Sequence, residues 1–431
     1  AANEMKERIK NSYNIDIDIN TFHALGRRII YEETKKKPKL VFEGKTYKIN
    51  EFIEKTLNDL LTEKRYQKIF IDFFAYHLDE EPEIEDFQDK QMYYRYMKNK
   101  SYTSLNNIKV KSISEKTIAN FFFIHNIKFE YEPLVGWVDE SEEDKEYHPD
   151  FYLPDYDIYI EHWGLNEKLQ VPKWFSISSE EYNSNRLWKL EQFEKYQKTL
   201  IETWEHERLK DLLIPNLKEK LIENILDIEF TSMDYKNLVE KTDDFREKAE
   251  DIIKLFNNFI QIAKSNMLKE NEIEQRLKSK NYTKRQKLFG RLALEIYKQY
   301  QNLLKTQDKI DFNDMINLAV DHAKRHPDKY NNMYDHLLID EFQDISYQRM
   351  ELVRCFVNNN SNTKLFCVGD DWQSIYQFTG SDLRYFLEFS KYFSNPEITN
   401  LELNYRSTSR IIEMSNHLIS QNKSQINKNV R

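Results

Sequence analysis

Apolar positions along this chain change texture several times, and each change marks a candidate boundary. Residues 1–30 read as a helix, then a strand near 15–21, then a second helix opening at Phe22. Across 31–110 the chain is charged, with apolar residues at helical spacing, as in Phe52, Ile53, Leu57, Leu60 and Leu61. Around 108–205 short β-like runs replace that pattern: Lys128-Phe129-Glu130-Tyr131 and Ile158-Tyr159-Ile160, punctuated by Pro133, Pro149 and Pro154. This stretch predicts an α/β insert. From 206 to about 305 the chain is helical again, rich in Glu and Lys, with no proline after Pro215. Beyond Tyr334 buried strands alternate with helices. His336-Leu337-Leu338-Ile339 and Lys364-Leu365-Phe366-Cys367-Val368 are continuous apolar runs, the signature of parallel strands covered on both faces. Residues 421–431 are polar and carry no helix cap.

Composition narrows the classes. The 431 residues are enough for two or three domains, and 40% hydrophobic with 32% charged residues is ordinary for a water-soluble chain. No run of 18 apolar residues exists, so no membrane partner is expected. A formal charge of −9 argues against a general polyanion binder, although positive charge can still be concentrated in one groove. The two cysteines, Cys355 and Cys367, lack metal-ligand spacing, and a reducing cytoplasm is the expected location. The opening residues contain no initiator Met and no apolar signal segment. They read as the inside of an amphipathic helix, so a chain that has lost its beginning is expected.

The first candidate chemistry lies at Leu337-Leu338-Ile339-Asp340-Glu341-Phe342-Gln343-Asp344, an apolar strand ending in acidic residues. At the carboxyl end of a parallel strand one carboxylate can hold Mg²⁺ and the next can polarise an attacking water. On its own this pattern also fits a solvated acidic turn. About 25 residues on comes Val368-Gly369-Asp370-Asp371-Trp372-Gln373-Ser374-Ile375-Tyr376-Gln377-Phe378-Thr379-Gly380-Ser381-Asp382, and then Leu401-Glu402-Leu403-Asn404-Tyr405-Arg406-Ser407-Thr408. In order and spacing the three segments resemble motifs II, III and IV of the UvrD/Rep-type superfamily 1 DNA helicases. The resemblance implies ATP and Mg²⁺ as cofactors, with Asp340 on the metal and Glu341 as catalytic base. It implies Gln373 as γ-phosphate sensor, Tyr405 stacked on adenine and Arg406 reaching the γ-phosphate. Tyr376 and Phe378 resemble the aromatics on which single-stranded bases stack, each worth roughly 1–3 kcal/mol. Read without the family, they would be core aromatics. Thr21-Phe22-His23-Ala24-Leu25 resembles motif Ib, which implies DNA-backbone contacts from Thr21 and His23. Residues 1–9 resemble the tail of motif Ia, and Ile310-Asp311-Phe312-Asn313-Asp314-Met315 a segment that precedes motif II.

A phosphate-cradling loop needs Gly-x-x-x-x-Gly-Lys-Ser/Thr after a strand. The one comparable triplet, Gly44-Lys45-Thr46, has Lys39 where the first glycine belongs. Its neighbours predict a surface turn between short strands. By resemblance, then, the chain lacks the Walker A loop and the second RecA-like domain. It is expected not to turn over ATP alone.

His148-Pro149-Asp150-Phe151-Tyr152-Leu153-Pro154-Asp155-Tyr156-Asp157-Ile158-Tyr159-Ile160-Glu161-His162-Trp163 predicts a hairpin. If it reverses at Asp155-Tyr156, Leu153 pairs with Ile158, and Asp150 lies opposite Glu161 with Cβ atoms about 5 Å apart. Facing carboxylates repel unless a cation or proton lies between them. A predicted helix at 114–121 can bring Glu115 near. The pattern resembles the PD-(D/E)xK nucleases, which implies metal binding by Glu115, Asp150 and Glu161. Trp163 stands where those enzymes have lysine, so either another residue supplies the charge or the site is inactive. A solvated acidic hairpin is the plain alternative. Lys35-Lys36-Lys37-Pro38-Lys39 reads as a solvated loop, Trp188 and Trp204 as core residues, and neither His125 nor His206 has a metal pattern.

The fold class expected is α/β: a P-loop NTPase (RecA-like) parallel-sheet domain, interrupted by a helical subdomain with a small restriction-endonuclease-like module. The boundaries are 1–30 and 308–431 for the RecA-like domain, 31–107 for a mixed helical insert, 108–205 for the nuclease-like module and 206–307 for the helical subdomain. The whole is closest to the bacterial helicase IV group. That implies a 3′–5′ helicase or translocase on single-stranded DNA or its junctions, in repair, recombination or phage defence. Two rivals remain: a metal-dependent nuclease to which the helicase core delivers DNA, and a non-catalytic DNA-binding fragment.

Overall fold

The computed structural model describes residues 2–45, 47–87, 89–138, 147–242, 245–357, 362–374, 380–420, 422, 425–426, 428 and 430–431. Contacts divide the chain into two units. The first comprises Ala1–Leu57, Ile252–Ser279 and Ala293–Arg431, and the second Asn58–Asp251 and Lys280–Leu292. Six strands carry the argument: β1 (Glu130–Tyr131), β2 (Phe151–Leu153), β3 (Ile158–Trp163), β4 (Thr199–Trp204), β5 (His336–Ile339) and β6 (Lys364–Cys367). The mixed α/β class follows. No helix among the described residues is long and apolar enough to cross a membrane.

The first unit is built around the Phe312–Arg325 helix. Its apolar stripe, Ile316, Ala319, Val320 and Ala323, is buried against Ile29 of the Phe22–Thr34 helix and Leu352 and Phe356 of the Tyr347–Phe356 helix. Burying each large side chain contributes roughly 1.5–3 kcal/mol. Gly26 lets two backbones meet, since a Cβ there would stand 2.4 Å from the Met315 carbonyl oxygen. A reciprocal cap starts the central helix: Asp311 accepts from the Asp314 N–H at 2.8 Å, and Asp314 accepts from the Asp311 N–H at 3.1 Å.

β5 and β6 pair in parallel, Leu337 with Leu365 and Ile339 with Cys367. The expectation of strands buried on both faces needs correction. Leu337, Ile339, Leu365 and Cys367 pack on Phe342, Ile345, Met350, Val353 and Tyr385, whereas Leu338 is 70% and Phe366 60% exposed. Within the described residues only one face of this two-stranded sheet is covered. The strand expected near 15–21 is also absent. Ile15 and Ile17 are exposed, and with no ladder partner among the described residues their two-residue alternation forms no strand. Gly44 and Lys45 do lie on a surface turn, but a helix, Tyr47–Leu60, follows it rather than a strand. Thr46 lies outside the described residues.

In the second unit, from Ile113 to Asn224, the order is helix (Ile113–Ile124), β1, β2, β3, helix (Ser179–Lys195), β4, a short helix (Glu205–Leu209), then the Leu213–Asn224 helix. β1 to β3 are antiparallel neighbours, and β4 lies parallel to β3. The hairpin register is the one read from the sequence, Leu153 with Ile158 and Phe151 with Ile160. Extended by one residue it sets Asp150 across from Glu161. Ile118, Phe121 and Phe122 of the first helix, Phe151, Leu153, Ile158, Ile160 and Ile201 of the sheet, and Leu217 and Leu221 form one apolar core.

The contact division departs from the sequence boundaries. Residues 31–57, 252–279 and 293–307 join the first unit, while 58–107, 206–251 and 280–292 join the sheet-bearing one. The physical reason is continuity. The Phe245–Ser265 and Lys284–Thr306 helices each contribute to both units, so no linker or change of composition marks the division.

Candidate nucleotide and acidic sites

β5 delivers Asp340 and Glu341 to its carboxyl end, both exposed. Glu341 adopts φ 52° and ψ 43°, a left-handed conformation that costs a non-glycine residue of order 1–3 kcal/mol. The Glu341 N–H donates to Asp340 Oδ1 at 3.0 Å. Behind the pair lies Gln343, 1% exposed. Its amide donates to Glu341 Oε2 at 2.7 Å, and its Oε1 accepts from the Asp370 N–H at 3.0 Å. Asp370 Oδ2 in turn accepts from the Gln373 side-chain amide at 2.6 Å. An unbroken chain of hydrogen bonds therefore joins Glu341 to Gln373 across the ends of β5 and β6. Burial, and then the charge of Glu341, push the Asp344 carboxyl up, opposed by Arg349.

The other candidates are placed unevenly. Thr21 caps the Phe22–Thr34 helix, its hydroxyl accepting from the Ala24 N–H at 3.2 Å. His23 stands edge-on to Phe312 at 5.7 Å. Burial, with Arg349 adding to it, lowers its pKa. Tyr405 is 92% exposed, and the backbone N–H groups of Arg406 and Ser407 are tied to Asn404 Oδ1. Among the described residues no bond joins Tyr405 or Arg406 to the acidic pair. Tyr376 and Phe378 lie outside the described residues. Gln343 and Asp370 were not singled out from the sequence. A glutamine placed among buried apolar neighbours was the available signal, because a buried amide needs partners.

Hard carboxylate oxygen at a strand end suits Mg²⁺, and Asp340 is exposed enough to offer it. The chain contains no Gly-x-x-x-x-Gly-Lys-Ser/Thr sequence to cradle phosphates.

The second acidic group lies in the sheet of the second unit. The Glu161 side chain is 2% exposed and bonded by Lys189 Nζ at 2.9 and 2.8 Å, with the Tyr147 hydroxyl donating to it as well. Asp150 is half-buried, and its Oδ2 accepts from the His162 N–H at 2.6 Å. Burial, then the charges of Glu161 and Glu115, push the Asp150 carboxyl well up. Glu115 accepts from Tyr131 at 2.6 Å, from the Lys111 N–H at 3.0 Å and from Ser112 at 2.8 Å. The three carboxylates influence one another, but among the described residues no three His, Cys, Asp or Glu side chains are arranged to hold a metal. Trp163 donates to Glu202 at 2.8 Å. Lys189, on the Ser179–Lys195 helix, places its ammonium 5.3 Å from the Trp163 ring.

Compared with known proteins, residues 159–394, more than half of the chain, match the UvrD/REP helicase N-terminal domain. The chain belongs to this family. It is 37% identical over 138 residues to DNA helicase IV of Escherichia coli, covering 32% of this chain and 20% of that protein. Against the ATP-dependent DNA helicase PcrA of Leuconostoc citreum the identity is 34% over 143 residues, covering 32% and 19%. Against the ATP-dependent DNA helicase Rep of Buchnera aphidicola it is 36% over 130 residues, covering 30% and 20%. The matched segment spans about a fifth of the length of these curated relatives.

Proposed function

We infer that this UvrD/Rep-family chain is part of an ATP-driven motor that moves 3′ to 5′ along single-stranded DNA. The observation that carries the reading is the linkage of Glu341 to Gln373 through Gln343 and Asp370. Bound Mg·ATP supplies the phosphoanhydride whose cleavage drives the cycle. Asp340 would hold the metal, and Glu341, its carboxylate held by Gln343, would orient and deprotonate water. Gln373 would report the γ-phosphate to the loop that continues into Tyr376 and Phe378, on which bases would stack. Tyr405 would stack on adenine and Arg406 would bind phosphate through a permanent charge. Thr21 and His23 would meet the DNA backbone. With no phosphate-cradling loop in its sequence, this chain by itself should not turn over ATP. The test is ATP hydrolysis by the full-length protein with and without single-stranded DNA. Glu341→Gln should cost at least about 100-fold in turnover, the scale of a general base. Retention of DNA-stimulated turnover by that variant would remove Glu341 from the role.

A second reading concerns the sheet-bearing unit. The succession helix, three antiparallel strands, helix, parallel strand, with Asp150 and Glu161 on neighbouring strands, supports a PD-(D/E)xK-like module. Lys189 supplies beside Glu161 the cation that Trp163 does not. Mg²⁺- or Mn²⁺-dependent nicking of DNA that requires Asp150 and Glu161 but not Glu341 would support it. Nicking unaffected by Asp150→Ala would exclude Asp150 from the chemistry.

A further inference from the structure

Lys428 belongs to none of the motifs above. Its ammonium meets two adjacent carboxylates at once, 2.5 Å from Asp370 Oδ1 and 2.7 Å from Asp371 Oδ1. The side chain is 13% exposed, and the ammonium lies 4.7 Å from the Trp372 ring. The Asp371 side chain is 2% exposed, and its other oxygen accepts from the Ile426 N–H at 2.7 Å. The Asp370 side chain keeps 34% of its surface exposed, so of the two adjacent, mutually repelling carboxylates it is Asp371, out of water, that most needs a cation beside it. Lys428 is the cation that the structure places there. Burial works against the charge on Asp370, yet Lys428 and then Gln373 hold its carboxyl below the usual range.

Asp370 passes that constraint on. Besides Gln373, it caps the Trp372 N–H at 3.1 Å, and its own N–H is fixed by Gln343. The approach is tight. A Cβ on Gly369 would stand 2.6 Å from Gln343 Oε1 and 2.8 Å from the Phe386 ring, so the turn cannot shift toward β5 to compensate for a lost partner.

We propose that Lys428 is a positioning residue for Gln373: by neutralising Asp370 and Asp371 together, it holds the loop in which Asp370 fixes the Gln373 amide. Its ammonium acts on Gln373 through Asp370. What Gln373 then does rests on the ATPase reading, whereas how Lys428 holds it does not.

Two measurements keep these apart. Backbone hydrogen exchange on the 431-residue chain reads the loop directly. Lys428→Met should speed exchange at the Trp372 and Gln373 amides about tenfold or more, with the β5 amides unchanged. Lys428→Arg should keep the original rates. Asp371→Asn added to Lys428→Met should recover most of the protection, because one carboxylate no longer repels another. Unchanged exchange in Lys428→Met, or a loss that Asp371→Asn does not recover, overturns the proposal. Should Lys428→Met not fold, Lys428→Gln is read in the same way. In the full-length protein, Lys428→Met should lower DNA-stimulated kcat about tenfold while leaving KM for ATP within about twofold. Where Glu341→Gln abolishes turnover, an unchanged kcat in Lys428→Met would also overturn it. A Glu341→Gln protein that hydrolyses ATP normally would sink the ATPase reading instead and leave the exchange result standing.

Discussion

Lys264 offers the sharpest stability test. It is 1% exposed, with Nζ 2.7 Å from Asp311 and 2.8 Å from Asp314. Both aspartates form the reciprocal cap of the Phe312–Arg325 helix, and Asp311 also accepts from Tyr300 at 3.1 Å. At an effective dielectric of about 20, each pair attracts by about 6 kcal/mol, offset by several kcal/mol for removing the lysine from water. Lys264→Met leaves two carboxylates facing each other out of water, and the loss should be about 3–5 kcal/mol. The pH dependence follows in sign. Burial and then Asp311 already raise the Asp314 pKa, while Lys264 opposes them. Without the lysine the folded pKa rises further above 3.8. A raised carboxyl pKa contributes stability that is present at low pH and lost as pH rises through the folded value. The variant should therefore lose most near neutral pH and recover toward pH 4. Urea midpoints from pH 4 to 8 would measure this, and adding Asp314→Asn should restore most of the loss. A deficit below about 1 kcal/mol, or one independent of pH, would refute the reasoning.

Other substitutions probe separate links. Gly26→Ala forces a Cβ to within 2.4 Å of a backbone carbonyl oxygen and should cost about 1–3 kcal/mol by thermal or urea unfolding. Glu33, held by Lys329 at 2.6 Å and Tyr330 at 2.7 Å, has its pKa lowered to about 2. Its contribution should be fully present above pH 4.5 and vanish as pH falls toward 2, so Glu33→Gln should flatten the acid limb of the stability curve. Lys189→Met should leave Glu161 without its cation and cost about 3–5 kcal/mol by denaturant midpoint, largely recovered by adding Glu161→Gln.

Much of the architecture was legible in local patterns. Thr21 before an apolar helical stripe predicts the helix opening at Phe22, because the hydroxyl can accept a first-turn N–H. The alternation around 150–163 predicts the hairpin, because a one-residue slip would turn Phe151 and Ile160 out of the core. The acidic strand end and the Gln373 segment were legible through their order and spacing, which resemble motifs II and III of the UvrD/Rep helicases. Elsewhere local pattern misled. Ile15 to Ile19 alternates like a strand and is none, and β5 and β6 are apolar throughout yet covered on one face.

The sequence by itself determined which residues could perform the chemistry, for carboxylate, amide and guanidinium are properties of side chains wherever the chain runs. It also determined the periods that make each helix and strand. Only the tertiary structure decided which groups meet across long separations. Lys428 reaches Asp370, Lys189 reaches Glu161, and Lys264 lies between Asp311 and Asp314. In each case a lysine far along the chain pairs with at least one carboxylate that is withdrawn from water. Such a partner is chosen by where the packed elements bring the charge, and no local spacing encodes that.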